Sequence, residues 1–497
     1  MRWGYASAQI LLYCALAMDT IQIPPLPFDR FAPIVGRTRA RRLRHTLEDA
    51  RDILDGRVVW HVNSTRTGGG VAEMLQTLIG YERGAGLDVQ WLVIEGDAPF
   101  FAITKRIHHN LHGRNGDGRG FSPEDRDRYL AVSRRNARDV LRVVRPGDVV
   151  ILHDPQTAGL AEPLRRHGAV VVWRCHVGCN AVNAAVHQAW AFLEPLLQSA
   201  HAYVFSRPEY VPAWLRDESV FIMPPAIDAF SSKNEPVSRG TVRAILRHVG
   251  LLEGRAAGSE LTFRRTDGTE GVVRRGVTIY QTGPVPDWRT PTVTQVSRWD
   301  PLKDMQGVMD GFAARLERLG DAHLILVGPD VSGVTDDPEG AQVLEDCIAR
   351  WERFPPSVQQ RIHLVILPMD DVEENAIMVN AIQRHSTVVV QKSLEEGFGL
   401  TVTEAMWKGR AIIASAVGGI QDQIVHGRHG LLLEDPADLE EFGDALERLV
   451  SDHALVRRLG RNARRRAVAH FLAPRRLRQF VDLIYEIEGR TRETRAA

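Results

Sequence analysis

Residues 386–420 read "STVVVQKSLEEGFGLTVTEAMWKGRAIIASAVGGI". A β-branched apolar run (386–393) gives way to a glycine-broken polar loop. A helix-forming segment follows, stopping at Gly409, and then a second apolar run (411–417). Continuous apolar runs fit strands covered on both faces, and a helix between two of them fits a parallel βαβ unit. The same stretch carries chemistry. The glycines of "EGFGL" expose N–H groups at a helix amino end, where an anion is favoured. Glu396 sits just before that place and Glu404 about one turn into the helix. A carboxylate beside an anion site is electrostatically poor unless it accepts hydrogen bonds from hydroxyls. The segment therefore suits a ligand with both phosphate and vicinal hydroxyls.

The pattern repeats outward in both directions. Similar runs lie at 57–62, 89–96, 148–154, 169–176 and 202–206, and again at 292–298, 323–328 and 362–367. Helical-length segments separate them. Two such sets predict an α/β protein of two Rossmann-like, doubly wound parallel-sheet domains. The expected organisation is an N-terminal Rossmann-like domain (1–235), a linker (236–290), a C-terminal Rossmann-like domain (291–472), and a C-terminal helix (473–497) crossing back to the first domain. Within the linker, "ELTFRRTDGTEGVVRRGVTIYQTGPVPDWRTP" (260–291) has a turn signal between two β-rich arms. It predicts an inserted hairpin, near the site or at an oligomer contact, too small for a core of its own.

Composition narrows the partners. The 497 residues are 44% hydrophobic and 25% charged, with 62 basic and 62 acidic side chains. A neutral total gives no general attraction to nucleic acid or an anionic membrane, so any anion site must be local. The basic run at 457–471 reads as a solvated helix face. Four cysteines supply no disulfide framework and suit a reducing compartment. The apolar "ASAQILLYCALAM" (6–18) is too short to span a membrane and lacks a cleavage signal, so a cytoplasmic location is expected.

In open α/β sheets ligands sit beyond the carboxyl ends of strands. Two further segments occupy such positions. "HVNSTRTGGGVAEML" (61–75) is a strand, a turn with Gly68, Gly69 and Gly70, and a helix start; the glycines permit close backbone approach, in either a tight turn or an anion site. "QVSRWDPLKD" (295–304) follows a strand with Arg298 and Lys303, two cations suited to a diphosphate or to surface pairing with Asp300 or Asp304. Cys175, His176 and Cys179 lack the second ligand pair of a zinc site. His108 and His112 lack the H-E-x-x-H glutamate. The "DRD" at 125–127 reads as a charged helix start.

The two glutamates eight positions apart, after "QVSRWDPLKD" and "HLILVG" and before "AVGGIQDQIVHGRHGLLL", resemble the retaining nucleotide-sugar glycosyltransferases of the GT-B fold, glycosyltransferase family four. More narrowly, "VVWHVNSTRTGGGVAEMLQTLIG", "ILHDPQTAGL", "WRCHVG", "PPAIDAFSSKN", "DDPEG" and "EEGFGLTVTEAMWKG" resemble the trehalose glycosyltransferring synthases. The likeness spans roughly residues 30–235 and 290–450 and departs from the pattern at the 260–291 insertion and at Glu395. It implies transfer of glucose from UDP-glucose or ADP-glucose to glucose, giving trehalose, with no metal and no other cofactor. A trehalose phosphorylase or a related retaining glycosyltransferase with another acceptor is the alternative, and a non-catalytic sugar-nucleotide-binding regulator a remote one. By the resemblance, Arg298 and Lys303 neutralise the leaving diphosphate and Glu404 binds the ribose. Glu396 holds the donor sugar with the N–H groups of Gly397, Phe398 and Gly399, next to Leu400. His176 faces that sugar, Gly69 and Gly70 approach the phosphates, and Asp154 contacts the acceptor. A homodimer is the remaining expected partner.

Overall fold

The computed structural model describes residues 19–66, 69–115, 118–180, 182–215, 219–255, 261–274, 276–331 and 338–496. The apolar segment 6–18, Gly68 and the first two residues of "DDPEG" lie outside them. Two compact units result: residues 1–225 with 473–497, and residues 226–472.

The sheet of the first unit contains β1 (Asp19–Ile21), β2 (Val59–Asn63), β3 (Val89–Val93), β4 (Val149–His153), β5 (Val170–Cys175), β6 (Ala202–Phe205) and β7 (Val220–Ile222). Their order is β1-β3-β2-β4-β5-β6-β7. All neighbours are parallel except β1, which runs antiparallel to β3. Strand order reverses at β2/β4. Trp60, Val62, Leu152 and Trp173 point from the sheet into a core shared with Phe100, on the helix Ala98–Leu111, and Phe192, on the helix Ala184–Leu197. The C-terminal helix Ala473–Ala496 belongs to this unit, where Arg475 donates to the carbonyls of Pro224 and Pro225.

The second sheet contains β10 (Thr278–Tyr280), β11 (Thr292–Val296), β12 (His323–Pro329), β13 (Ile362–Leu367), β14 (Val388–Gln391), β15 (Ala411–Ser415) and β16 (Leu431–Leu433). The order is β10-β13-β12-β11-β14-β15-β16, parallel except for β10 against β13. Leaving β10 aside, this is the order of a dinucleotide-binding sheet, with its switch point between β11 and β14. Apolar side chains leave both faces: Leu324 and Leu326 pack towards Phe312 and Phe442, Ile325 and Val327 towards Ile377 and Met378. Double-sided burial is why these strands read as unbroken apolar runs.

The segment expected to be a linker is built into the second unit. β8 (Thr262–Arg264) and β9 (Glu270–Val272) form the hairpin, turning through Gly268 at φ +86°. Leu261, Phe263 and Val273 are buried in the same core as Ile377 and Met378. Arg265 forks onto Asp371, at the start of the helix Val372–His385, with Nη1 2.9 Å from Oδ1. The next stretch supplies β10 to the sheet edge.

Candidate active site

The carboxyl ends of β11 and β14, neighbours at the switch point, are tied together by side chains. Gln295 on β11 accepts from the Lys392 N–H at 3.0 Å and donates to the Lys303 carbonyl at 2.6 Å. Lys392 is wholly buried and its ammonium pairs with Asp304. Asp304 is left-handed (φ 46°, ψ 47°) and caps the helix Met305–Ala314 by accepting from Gly307 N–H. With Asp304 so engaged, Lys303 turns elsewhere: its Nζ lies 2.7 Å from Glu396 Oε2, which also accepts from Ser393 Oγ at 3.3 Å. Arg298 stays at the surface, 65% exposed, with Nη2 3.0 Å from Asp300 Oδ2. The structure thus joins Lys303 to Glu396 and leaves Arg298 outward on the same turn.

The loop 397–399 is held through its carbonyls. Gly397 O accepts from Gly419 N–H at 3.1 Å, and Gln423 Nε2 donates to Phe398 O and Gly399 O. Gln423 is itself fixed by Thr403 Oγ1 (2.6 Å). Gly399 precedes the helix Leu400–Trp407 at φ +81°, a conformation that favours glycine. Among the described residues, the N–H groups of Phe398 and Gly399 have no acceptor. Unpaired N–H groups at a helix start are an arrangement that favours an anion.

Glu404, one turn into that helix, is buried, with Lys233 Nζ 3.7 Å from Oε1. The loop carrying Lys233 is clamped from below. Asn234 O accepts from Trp407 Nε1 (2.8 Å), Asn234 Oδ1 from Lys408 Nζ (3.0 Å), and Glu235 O from Arg384 Nη2 (2.7 Å).

In the first unit, Asp154 and His176 follow β4 and β5. Asp154 has φ 63° and ψ 176°, a region that side-chain-bearing residues avoid and that persists where surroundings enforce it. The enforcing contacts are visible. Asp154 N–H donates to Arg174 O (2.8 Å), its carbonyl accepts from Trp173 Nε1 (3.1 Å), and its Oδ1 accepts from His176 N–H (2.7 Å). Burial pushes the Asp154 carboxyl up to about 7, against the opposing hydrogen bond. Burial, with His61 adding to it, takes the His176 imidazole down to about 3, so the ring is neutral. Gly69 and Gly70 open the helix Gly69–Gly84 beyond β2. The Cys175 thiol is buried and bonded to Val177 O, and burial pushes it well above the ordinary thiol range. No group of three potential ligands among the described residues is placed to hold a metal ion.

Sequence reasoning missed Gln295, Lys392, Gln423 and Lys233. Lys392 and Gln423 carried no signal beyond their place next to the motif. Gln295 was legible as a polar residue inside an otherwise buried strand.

Comparison with known proteins places the chain in a family. A family model for the trehalose synthase N-terminal domain matches residues 61–212, and one for glycosyl transferases group 1 matches 286–466. The chain is 34% identical to a trehalose synthase of Rubrobacter xylanophilus over 90% of this chain and 95% of that protein. It is 25% identical to a trehalose phosphorylase of Pleurotus pulmonarius, over 81% of this chain and 53% of that one. The solved structure of the trehalose-6-phosphate synthase OtsA matches with a TM-score of 0.63 at 14% identity, over 86% of this chain and 99% of that one, and shares the fold. The chain is a GT-B hexosyltransferase and belongs to the trehalose synthase family.

Proposed function

We propose that the protein transfers glucose from a nucleoside diphosphate glucose to glucose with retention of the α configuration, making trehalose reversibly. The observation that carries the reading is the Lys303–Glu396 pair beside the free N–H groups of Phe398 and Gly399, at the switch point of the second sheet. Lys303, Arg298 and these N–H groups stabilise charge on the departing diphosphate. Glu396 accepts hydrogen bonds from donor-sugar hydroxyls, and buried Glu404 from the ribose. His176 and Asp154 serve the sugars from the first unit, and Gly69 and Gly70 the phosphates. Attack on the leaving-group face lets a diphosphate oxygen take the acceptor proton, so no protein base is assigned. A two-carboxylate glycosidase needs its carboxyl groups on either side of the bond, whereas Glu396 and Glu404 share one loop and helix.

The cations take the place of a metal, and activity is expected after chelator treatment without added metal. No described helix is long and apolar enough to cross a membrane, which fits a cytoplasmic enzyme. The test is the reverse reaction. Trehalose with UDP or ADP should yield the nucleotide glucose, and the forward product should carry the α,α linkage by NMR. Consumption of trehalose only with inorganic phosphate would make the protein a phosphorylase. Inertness with both would mean another acceptor.

A further inference from the structure

Three histidines of the first unit, His61 on β2, His153 on β4 and His176 immediately after β5, lie in a fixed diagonal. In the register of the sheet His61 on β2 is opposite Ile151 of β4, and His153 on β4 is opposite Arg174 of β5. Each step across the sheet, from His61 to His153 to His176, therefore moves two residues along the chain. A step of two keeps the side chain on the same face. The rings meet accordingly: His61 Nδ1 is 3.0 Å from His153 Nε2, and His153 Nδ1 is 3.1 Å from His176 Nε2. At the inner end, His61 Nε2 is 3.3 Å from Glu82 Oε2, on the helix Gly69–Gly84. Glu82, His61 and His153 are shut off from solvent, and buried Arg476 interacts electrostatically with Glu82. His176 is partly exposed, and its Nδ1 has no partner among the described residues.

Such a line has only two proton arrangements when every ring is neutral. A neutral imidazole donates at one nitrogen and accepts at the other. Two N–H groups cannot face each other, nor can two lone pairs, so the choice at one end fixes every ring. An ionised Glu82 only accepts. His61 must then carry its proton on Nε2, His153 likewise, and His176 likewise. His176 Nδ1 is left as a lone pair. A proton donor at position 82 would reverse the order and turn Nδ1 into an N–H. Burial holds His153 well below the ordinary imidazole range and His176 at about 3, which keeps both rings neutral.

We propose that Glu82 is a positioning residue that acts through His61 and His153 to present His176 Nδ1 as an acceptor for a sugar hydroxyl. The sugar in that statement rests on the function proposed above; the proton order does not. The test uses the full chain labelled with 13C,15N-histidine and long-range 1H–15N NMR, which reports each ring's tautomer. All three rings should be Nε2–H in the wild-type protein. Glu82→Gln, whose amide both donates and accepts, should populate Nδ1–H at His176. Its kcat/KM for the acceptor should drop roughly tenfold, the worth of one hydrogen bond. A wild-type His153 or His176 found as Nδ1–H would overturn the proposal without any variant. So would an unchanged His176 tautomer in folded Glu82→Gln. Should Glu82→Gln fail to fold, the wild-type spectrum decides alone. Nε2–H rings in a protein inactive on trehalose and glucose would uphold the relay and reject the substrate.

Discussion

Lys303 and Glu396 neutralise each other across 2.7 Å, with 13% and 16% of their side chains exposed. The cation assigned to the diphosphate and the carboxylate assigned to the donor sugar are therefore one unit. On the function proposed above, a nucleotide sugar would meet both residues together, so they would share the donor rather than act separately.

Substitution of either partner tests that coupling. Glu396→Gln keeps a hydrogen-bonding side chain but releases Lys303, so affinity for the nucleoside diphosphate should hold or rise while turnover falls, by about 10²-fold or more. Lys303→Met should weaken nucleoside diphosphate binding by about 1–3 kcal/mol, the usual range for a charged hydrogen bond. The double variant should deviate from additivity by about 0.5–3 kcal/mol, as residues in contact do. Calorimetric titration and steady-state kinetics on the three variants decide the matter. Additive effects would mean that the pair is incidental.

Glu404 is buried with Lys233 at 3.7 Å, on a loop fixed by Asn234 and Glu235. A ribose there must hydrogen-bond to a carboxylate already facing a cation. Glu404→Gln should cost donor affinity roughly 1–3 kcal/mol with turnover at saturation little changed, because the ribose does not react. Calorimetry with the nucleoside diphosphate checks it, and an equal fall in turnover would place Glu404 in the chemistry instead.

Sequence showed the strands at the centre of each sheet and the helix ending at Gly409, because burial on both faces leaves long apolar runs. It did not show β1, β7, β10 or β16, three-residue strands at or near the sheet edges, which are too short to carry a period. The motif residues Arg298, Lys303, Glu396 and Glu404 were visible because each follows a strand or opens a helix. The contacts that set them were not. Whether Lys303 reaches Asp304 or Glu396 is decided by Lys392, which takes Asp304 first, and that choice exists only in three dimensions. The histidine diagonal is similar: 92 residues separate His61 from His153, and only the register brings them together.

The hairpin is a part of the core, so it should not be removable at no cost. Replacing 260–287 by a short Gly/Ser link would expose the face formed by Ile377 and Met378, and the melting temperature should fall by several degrees or more. The ion pair beneath it has an acid signature. Arg265 first, and then the N–H groups of Glu374 and Glu373, hold the Asp371 carboxyl at about 2 against an ordinary 3.8. A depressed folded value adds stability above the unfolded one and loses it as pH falls towards about 2. Asp371→Asn should thus cost roughly 2 kcal/mol at pH 7. The difference from wild type should shrink between pH 4 and pH 2 in denaturant melts. A pH-independent difference would assign the loss to helix capping alone.

Asp154 carries the opposite sign. Burial lifts its carboxyl to about 7, and in the unfolded chain it ionises near 3.8. Both states hold the proton below about pH 4, so the group is neutral to stability there. Between pH 4 and 7 the unfolded chain ionises while the folded one does not, and stability declines; above 7 the loss is complete. Asp154→Asn removes the charge yet keeps an oxygen to accept from the His176 N–H, and it puts a side chain of the same shape in the same backbone conformation, so the backbone strain is unchanged. The variant should therefore melt higher than wild type at pH 8, by about 1–4 kcal/mol of stability, and equal to it at pH 4. Function should move the other way. If the ionised carboxylate receives an acceptor hydroxyl, the wild-type KM for glucose falls as pH rises through about 7, and Asp154→Asn shows a high, flat KM. Melting curves and acceptor kinetics at pH 4 to 9 measure both. A variant stabilised at high pH with an unaltered KM profile would leave Asp154 as strained, buried structure and move the acceptor contact to another residue.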